Sequence, residues 1–136
     1  GGSGQADIAL EQVAKIAGDK PLFFVGDFNC EPTEPAYEKL ASVYEDAYVS
    51  MGAEAKGGYI CNSEQLSSGK CPGCIETGNT YTGLYSSSDK DPKRIDFVLR
   101  SAALVDVLSY LADNDNLGLE LYPSDHLPVI TEMEFK

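Results

Sequence analysis

Five polar side chains stand where their types and spacing suit chemistry. Asp27 and Asn29 flank one aromatic, Phe28, in "GDFN" at 26–29. Asp96 interrupts the apolar run "RIDFVL" at 94–99. Asp125 and the chain's one histidine, His126, lie side by side in "SDHLP" at 124–128. Singly, each has a bland explanation. An Asp after a strand forms turns, Asp96 beside Arg94 makes a rim ion pair, and a lone His is more often a satisfied structural residue. Together they suit hydrolysis of a phosphodiester. That reaction needs a cation to neutralise phosphoryl charge, a base for the attacking water and donors for the non-bridging oxygens. Hard carboxylate oxygens suit Mg2+, with Mn2+ as the alternative. The Asn29 carboxamide can donate to a phosphoryl oxygen while its carbonyl orients water. His126 serves as base or phosphate clamp once an acid fixes its tautomer, and Asp96 is the natural acid.

Such groups must be held at fixed spacing, which strand ends provide. Leu22 to Gly26 reads as a buried strand that delivers Asp27 and Asn29. Arg94 to Arg100 alternates, with Ile95, Phe97 and Leu99 on one side and Asp96 and Val98 on the other. Val129 to Phe135 alternates as a closing strand, with Val129, Thr131, Met133 and Phe135 on one face. Upstream, Ala6, Ala9, Leu10, Val13, Ala14, Ile16 and Ala17 form a helical stripe, with Gly18 as C-cap and Pro21 closing the exit. Thr33 is placed to cap a short helix through Glu34 and Pro35, with Ala36, Tyr37, Leu40 and Ala41 inside. Residues 43–49 read as a short strand, Asn79 to Leu84 as a weakly alternating one, and Leu104 to Leu111 as a strand or short helix. Helix, strand, helix and then mostly strands argue an α/β or α+β layered domain.

The 136 residues, 43% of them hydrophobic, suit one domain with a real core. Gly1 to Gly4 reads as an added linker, leaving 5–136 as the domain. No apolar run approaches a membrane span and no signal peptide is visible. A net charge of -12 leaves no basic stripe for gripping long nucleic acid. Residues 52–78 hold six glycines and three cysteines and read as a long loop. Cys61, Cys71 and Cys74 allow three thiolates on a metal, one disulfide with a thiol left over, or ordinary thiols; Cys30 is the fourth cysteine.

In this order "GDFN", "RIDFVL" and "SDHLP" resemble the C-terminal motifs of the endonuclease/exonuclease/phosphatase superfamily. The resemblance implies the C-terminal half of a DNase I-like αββα sandwich, mostly antiparallel sheet with flanking helices. It implies that Asp27 and Asn29 bind water or phosphate and help place a metal, that Asp96 orients His126, and that Asp125 is a base or second metal ligand. Domains of that family are roughly double this length. Their first half carries an early Asn, the main metal-binding Glu and a His or Tyr motif, none of which is present in this chain. The expectation is an inactive piece that binds Mg2+ weakly. Its partners would be the missing half, or a second copy met through an exposed sheet face, and a phosphodiester from a lipid head group or a nucleic acid.

Within the superfamily, "GGYICNSEQ", "GNTYTG" and "KRIDFVL" resemble neutral sphingomyelinase-like phospholipases C, and the acidic charge is compatible with a lipid head group. "GDFNCEPTEPAY" and "YPSDHLPV" resemble polyadenylate-shortening nucleases of the nocturnin type. DNases and abasic-site endonucleases usually show aromatics beside the closing motif, and this chain has no Trp. The first is the expected activity. A non-catalytic binding domain is the alternative from another class, and retention of all five polar residues speaks against it.

Overall fold

The computed structural model describes residues 3–60, 75–76, 78–82, 92–115 and 123–136; for residues 3, 59, 60, 75 and 76 it describes the backbone alone. Cys61, Cys71 and Cys74 lie outside the described residues. The described elements run α1 (Ser3–Ala17), β1 (Phe23–Asp27), α2 (Pro35–Ala41), β2 (Glu45–Asp46), α3 (Ala47–Met51), a 3-10 turn (Gly52–Glu54), β3 (Lys56–Gly57), β4 (Tyr59–Ile60), β5 (Ile75–Glu76), β6 (Asp96–Arg100), β7 (Val105–Ala112) and β8 (Val129–Phe135). No helix among them is long and apolar enough to cross a membrane.

β6 is the central strand of the first sheet, order β1-β6-β2, and pairs antiparallel with both neighbours. Its alternation is the one expected. Phe97 and Leu99 point into a core with Ala6 of α1, Cys30, and Ala36, Tyr37 and Leu40 of α2. Val98 points the other way, into a second core with Ala47, Tyr110, Ala112 and Leu127. That second core is shared with the sheet β3-β7-β8, in which β7 and β8 pair antiparallel and β3 joins β7 in parallel. The result is a mixed α/β layering of helices on sheet on sheet, mostly antiparallel. The stretch read over 104–111 as strand or short helix is a strand, Val105–Ala112, with Val105, Tyr110 and Ala112 buried.

Several local expectations change. β1 is not buried on both faces. Phe24 packs inward, its ring edge-on to Phe28 at 5.2 Å, but Phe23 and Val25 are 41% and 61% exposed. The reason is position: β1 is an edge strand with one neighbour, and among the described residues the outer face of Phe23 meets the Phe135 ring at 6.2 Å. On α1 the inner face is Ala6, Ala9, Leu10, Val13 and Ala17, while Ala14 and Ile16 face solvent. The helix begins at Ser3, inside the stretch read as a linker.

Glu34, not Thr33, is the N-cap of α2, in extended backbone with Pro35 as first helical residue. Ala36, Tyr37 and Leu40 form its buried face as expected. The strand read over 43–49 stops at Asp46, because that carboxylate accepts the Tyr48 N–H at 2.9 Å and caps α3 instead. Around Asn79 to Leu84, the described residues give no strand, only single bridges from Tyr81 to Lys93 and to His126.

Candidate active site

The pairing of β1 with β6 places Asp27 directly opposite Asp96. In an antiparallel pair such residues share a face, so both carboxylates emerge on one side of the sheet end. Past Asp27 the chain turns sharply. Gly26 takes φ +145 and Asn29 φ +48, values that glycine tolerates and that asparagine visits more readily than most residues. The Asn29 N–H donates to Asp27 Oδ1 at 2.8 Å, and the Phe28 N–H donates to the Ile95 carbonyl at 2.9 Å. "GDFN" is therefore tied both to itself and to the start of β6.

His126 arrives from a separate segment. Its N–H donates to Ser124 Oγ at 3.1 Å, the next residue's N–H donates to the Thr80 carbonyl at 2.6 Å, and its ring lies edge-on to Tyr81 at 5.4 Å. Nδ1 is 2.7 Å from Asp96 Oδ2. A carboxylate only accepts, so Nδ1 carries the proton and Nε2 faces outward. Nε2 stands 3.8 Å from Asp27 Oδ2. Ligating atoms of Asp27, Asp96 and His126 all lie within 4.8 Å of one another.

Of the five residues read from sequence, these three converge. Asn29 is exposed and joined to Asp27 through its backbone. The Asp125 side chain is exposed and outside the cluster; its carbonyl accepts the Thr82 N–H at 3.1 Å. Its charge still reaches the imidazole. Partial burial lowers the His126 pKa, but the Asp96 hydrogen bond and the charges of Asp96, Asp27 and Asp125 outweigh it and hold the pKa above the ordinary histidine value.

The three clustered groups differ as cation ligands. Asp96 Oδ2 already receives the Thr80 hydroxyl and His126 Nδ1. The Asp27 side chain is 48% exposed and offers hard oxygen at the mouth of the site. Among the described residues, Asp27, Asp96 and His126 together form the group whose atoms could hold a divalent cation, and Asp27 is the more open of its two carboxylates.

Two features were missed from the sequence. Thr80 bonds Asp96 from 16 positions earlier, with no local periodicity to reveal it. Arg94 does not pair near Asp96; its Nη1 meets Asp46 Oδ2 at 2.6 Å, buried, with the Arg94 guanidinium 4.4 Å from the Tyr48 ring. That pair joins positions 48 apart, and no local pattern in the sequence signals it.

A search of curated proteins finds no match. Among solved structures, a mannosyl-6-phosphatase of Bacteroides thetaiotaomicron superposes with a TM-score of 0.67 at 23% identity, over 96% of this chain and 44% of that one. An endonuclease/exonuclease/phosphatase from Bacteroides vulgatus gives 0.65 at 22% identity, over 98% and 44%. The human nocturnin catalytic domain with bound sulfate gives 0.61 at 26% identity, over 98% and 41%. The chain thus spans less than half the length of these structures. Residues 3–126 match the profile of the Endonuclease/Exonuclease/phosphatase family. With that match over most of its length, on a fold it shares with structures of that group, the chain belongs to the endonuclease/exonuclease/phosphatase family, with its DNase I-like fold.

Proposed function

We propose that this chain is the C-terminal part of a divalent-metal-dependent phosphodiesterase of the sphingomyelinase-like phospholipase C type. The observation that carries the hydrolytic reading is the line Asp96–His126–Asp27: an imidazole held by a carboxylate at 2.7 Å, its free nitrogen aimed toward a second carboxylate at 3.8 Å. Below its raised pKa, His126 Nε2–H donates to a phosphoryl oxygen; above it, Nε2 accepts a proton from water. Asp96 keeps the ring in the useful tautomer. Asn29 offers a second donor to the phosphoryl group, Asp125 adds negative charge on the base side, and Asp27 positions water or holds Mg2+ or Mn2+. A bound divalent cation supplies charge neutralisation at the phosphoryl group. The principal Glu ligand is expected from the remainder of the domain, which a longer chain or a partner would supply. Exposed Phe23, Val25 and Phe135 offer the apolar surface for that partner or for a second copy.

The lipid head group is supported by the acidic charge and by the "GNTYTG…KRIDFVL" stretch. A nocturnin-type RNA substrate is the second reading, favoured by the 26% identity to human nocturnin across 98% of this chain. The test assays the complete catalytic domain with Mg2+ on sphingomyelin vesicles, poly(A) RNA and an abasic duplex in parallel. Release of phosphocholine is expected, with a loss of about 10²–10⁴-fold in folded His126→Ala. Cleavage of poly(A) alone moves the assignment to the second reading. Full activity in folded His126→Ala discards both.

A further inference from the structure

Thr80 is completely buried, and its hydroxyl is spent entirely around one carboxylate. Oγ1 donates to Asp96 Oδ2 at 2.6 Å and accepts the backbone N–H groups of Ile95 and Asp96, each at 3.1 Å. A hydroxyl has one proton and two lone pairs. With both lone pairs taken by fixed amides, the proton has one direction left, toward Asp96 Oδ2. The same residue's backbone joins the two segments that carry the pair. Its N–H donates to the Lys93 carbonyl at 2.8 Å, just before β6, and its carbonyl accepts the Leu127 N–H at 2.6 Å, just after His126. Asp side chains turn over a broad torsional well about their terminal bond. Thr80 removes that freedom, because Asp96 Oδ2 must satisfy the Thr80 O–H and His126 Nδ1–H at once.

We propose that Thr80 is a positioning residue that fixes the Asp96 carboxylate and, through it, the tautomer and direction of the His126 ring. Its meaning for catalysis rests on the phosphodiesterase reading; the tautomer itself does not. The chain has one histidine, so ring-nitrogen spectra report His126 alone. The experiment records 15N NMR of the histidine ring in the metal-free chain, with chelator present, at alkaline pH where the ring is neutral. Wild type and Thr80→Ser, which keeps the hydroxyl, are expected to show the Nδ1–H tautomer. Thr80→Val, of like shape without the hydroxyl, is expected to lose it and show a mixture of the two tautomers. If Thr80→Val does not fold, Thr80→Cys makes the same comparison, because a thiol is a weak donor. A folded Val or Cys variant that keeps the wild-type tautomer overturns the proposal, as does a Ser variant that loses it. Since no substrate is involved, neither result depends on what the complete domain hydrolyses.

Discussion

Two acid–cation pairs meet near the start of β6, and they differ in almost everything but length. Arg94 and Asp46 touch at 2.6 Å, with side chains 8% and 2% exposed. His126 and Asp96 touch at 2.7 Å, with side chains 27% and 21% exposed. The first pair is saturated. Tyr37 donates its hydroxyl to the same Asp46 oxygen at 2.7 Å, and the guanidinium lies 4.9 Å from the Phe97 ring and 4.4 Å from the Tyr48 ring. The second pair leaves one ring nitrogen unsatisfied by Asp96 and turned toward Asp27. Equal distances therefore carry different work. A closed pair specifies how α2, β2 and β6 meet, whereas a half-open pair keeps a titratable nitrogen for a ligand.

The widest separation comes from removing one acid of each pair. Asp46→Ala leaves a buried guanidinium without its counter-charge and the Tyr37 hydroxyl without its acceptor. The expected loss is about 3–5 kcal/mol in urea unfolding. Replacing both partners at once, Arg94→Met with Asp46→Leu, should recover part of it, since no charge is then left buried although the Tyr37 hydroxyl and the Tyr48 N–H still lack their acceptor. If the single and the double variant are equally unstable, the closed pair is not what orders this region.

Asp96→Asn should behave in the opposite way. The half-open pair is partly solvated, so the folded state should lose no more than about 1 kcal/mol. Rate in the complete domain should fall about 10- to 100-fold, because the ring loses the acceptor that fixes its tautomer. Equal rates for wild type and the variant would mean that the pair is structural like its neighbour.

The contrast also shows what a sequence can carry. β6 was legible because both of its faces are buried and its alternation runs unbroken. The α2 face was legible from its helical spacing, and the closing strand from the alternation of half-buried and exposed residues along Val129 to Glu134. Asp27, Asp96 and His126 were legible because each breaks an apolar pattern at a strand end. Most of what failed depended on neighbours distant in sequence, the β2–α3 boundary being the local exception. The outer face of β1 reads as apolar from its residues, yet whether Phe23 and Val25 are covered is settled by other strands. The β2–α3 boundary turned on one carboxylate choosing a backbone amide over continued pairing. Thr80 and the Arg94–Asp46 pair bridge 16 and 48 positions, and no window spans them.

The bare face of β1 gives a smaller effect. Phe23, the Phe135 ring it meets, and Val25 are all exposed, so the chain alone should self-associate as its concentration rises. Sedimentation should show this, and Val25→Lys should abolish it while leaving the ring-nitrogen spectrum of His126 unchanged. A monomer at every concentration would leave that face without a partner of its own kind.

The smallest effect separates the two pairs by pH. Burial works against the charged His126 ring, but the Asp96 hydrogen bond and the charges of Asp96, Asp27 and Asp125 raise its pKa above the ordinary 6.5. A group whose pKa is higher folded than unfolded binds protons more tightly in the folded state. Its contribution is complete below the unfolded value and disappears as pH rises through the folded one. Stability from this pair should therefore decline from about pH 6.5 upward, by under about 1 kcal/mol in total. Arg94 stays charged throughout: burial lowers its pKa, Asp46 raises it more, and the net direction is upward. Asp96→Asn should accordingly flatten the decline, while the Arg94→Met, Asp46→Leu double variant should keep it. A decline that survives Asp96→Asn unchanged would place its origin outside the half-open pair.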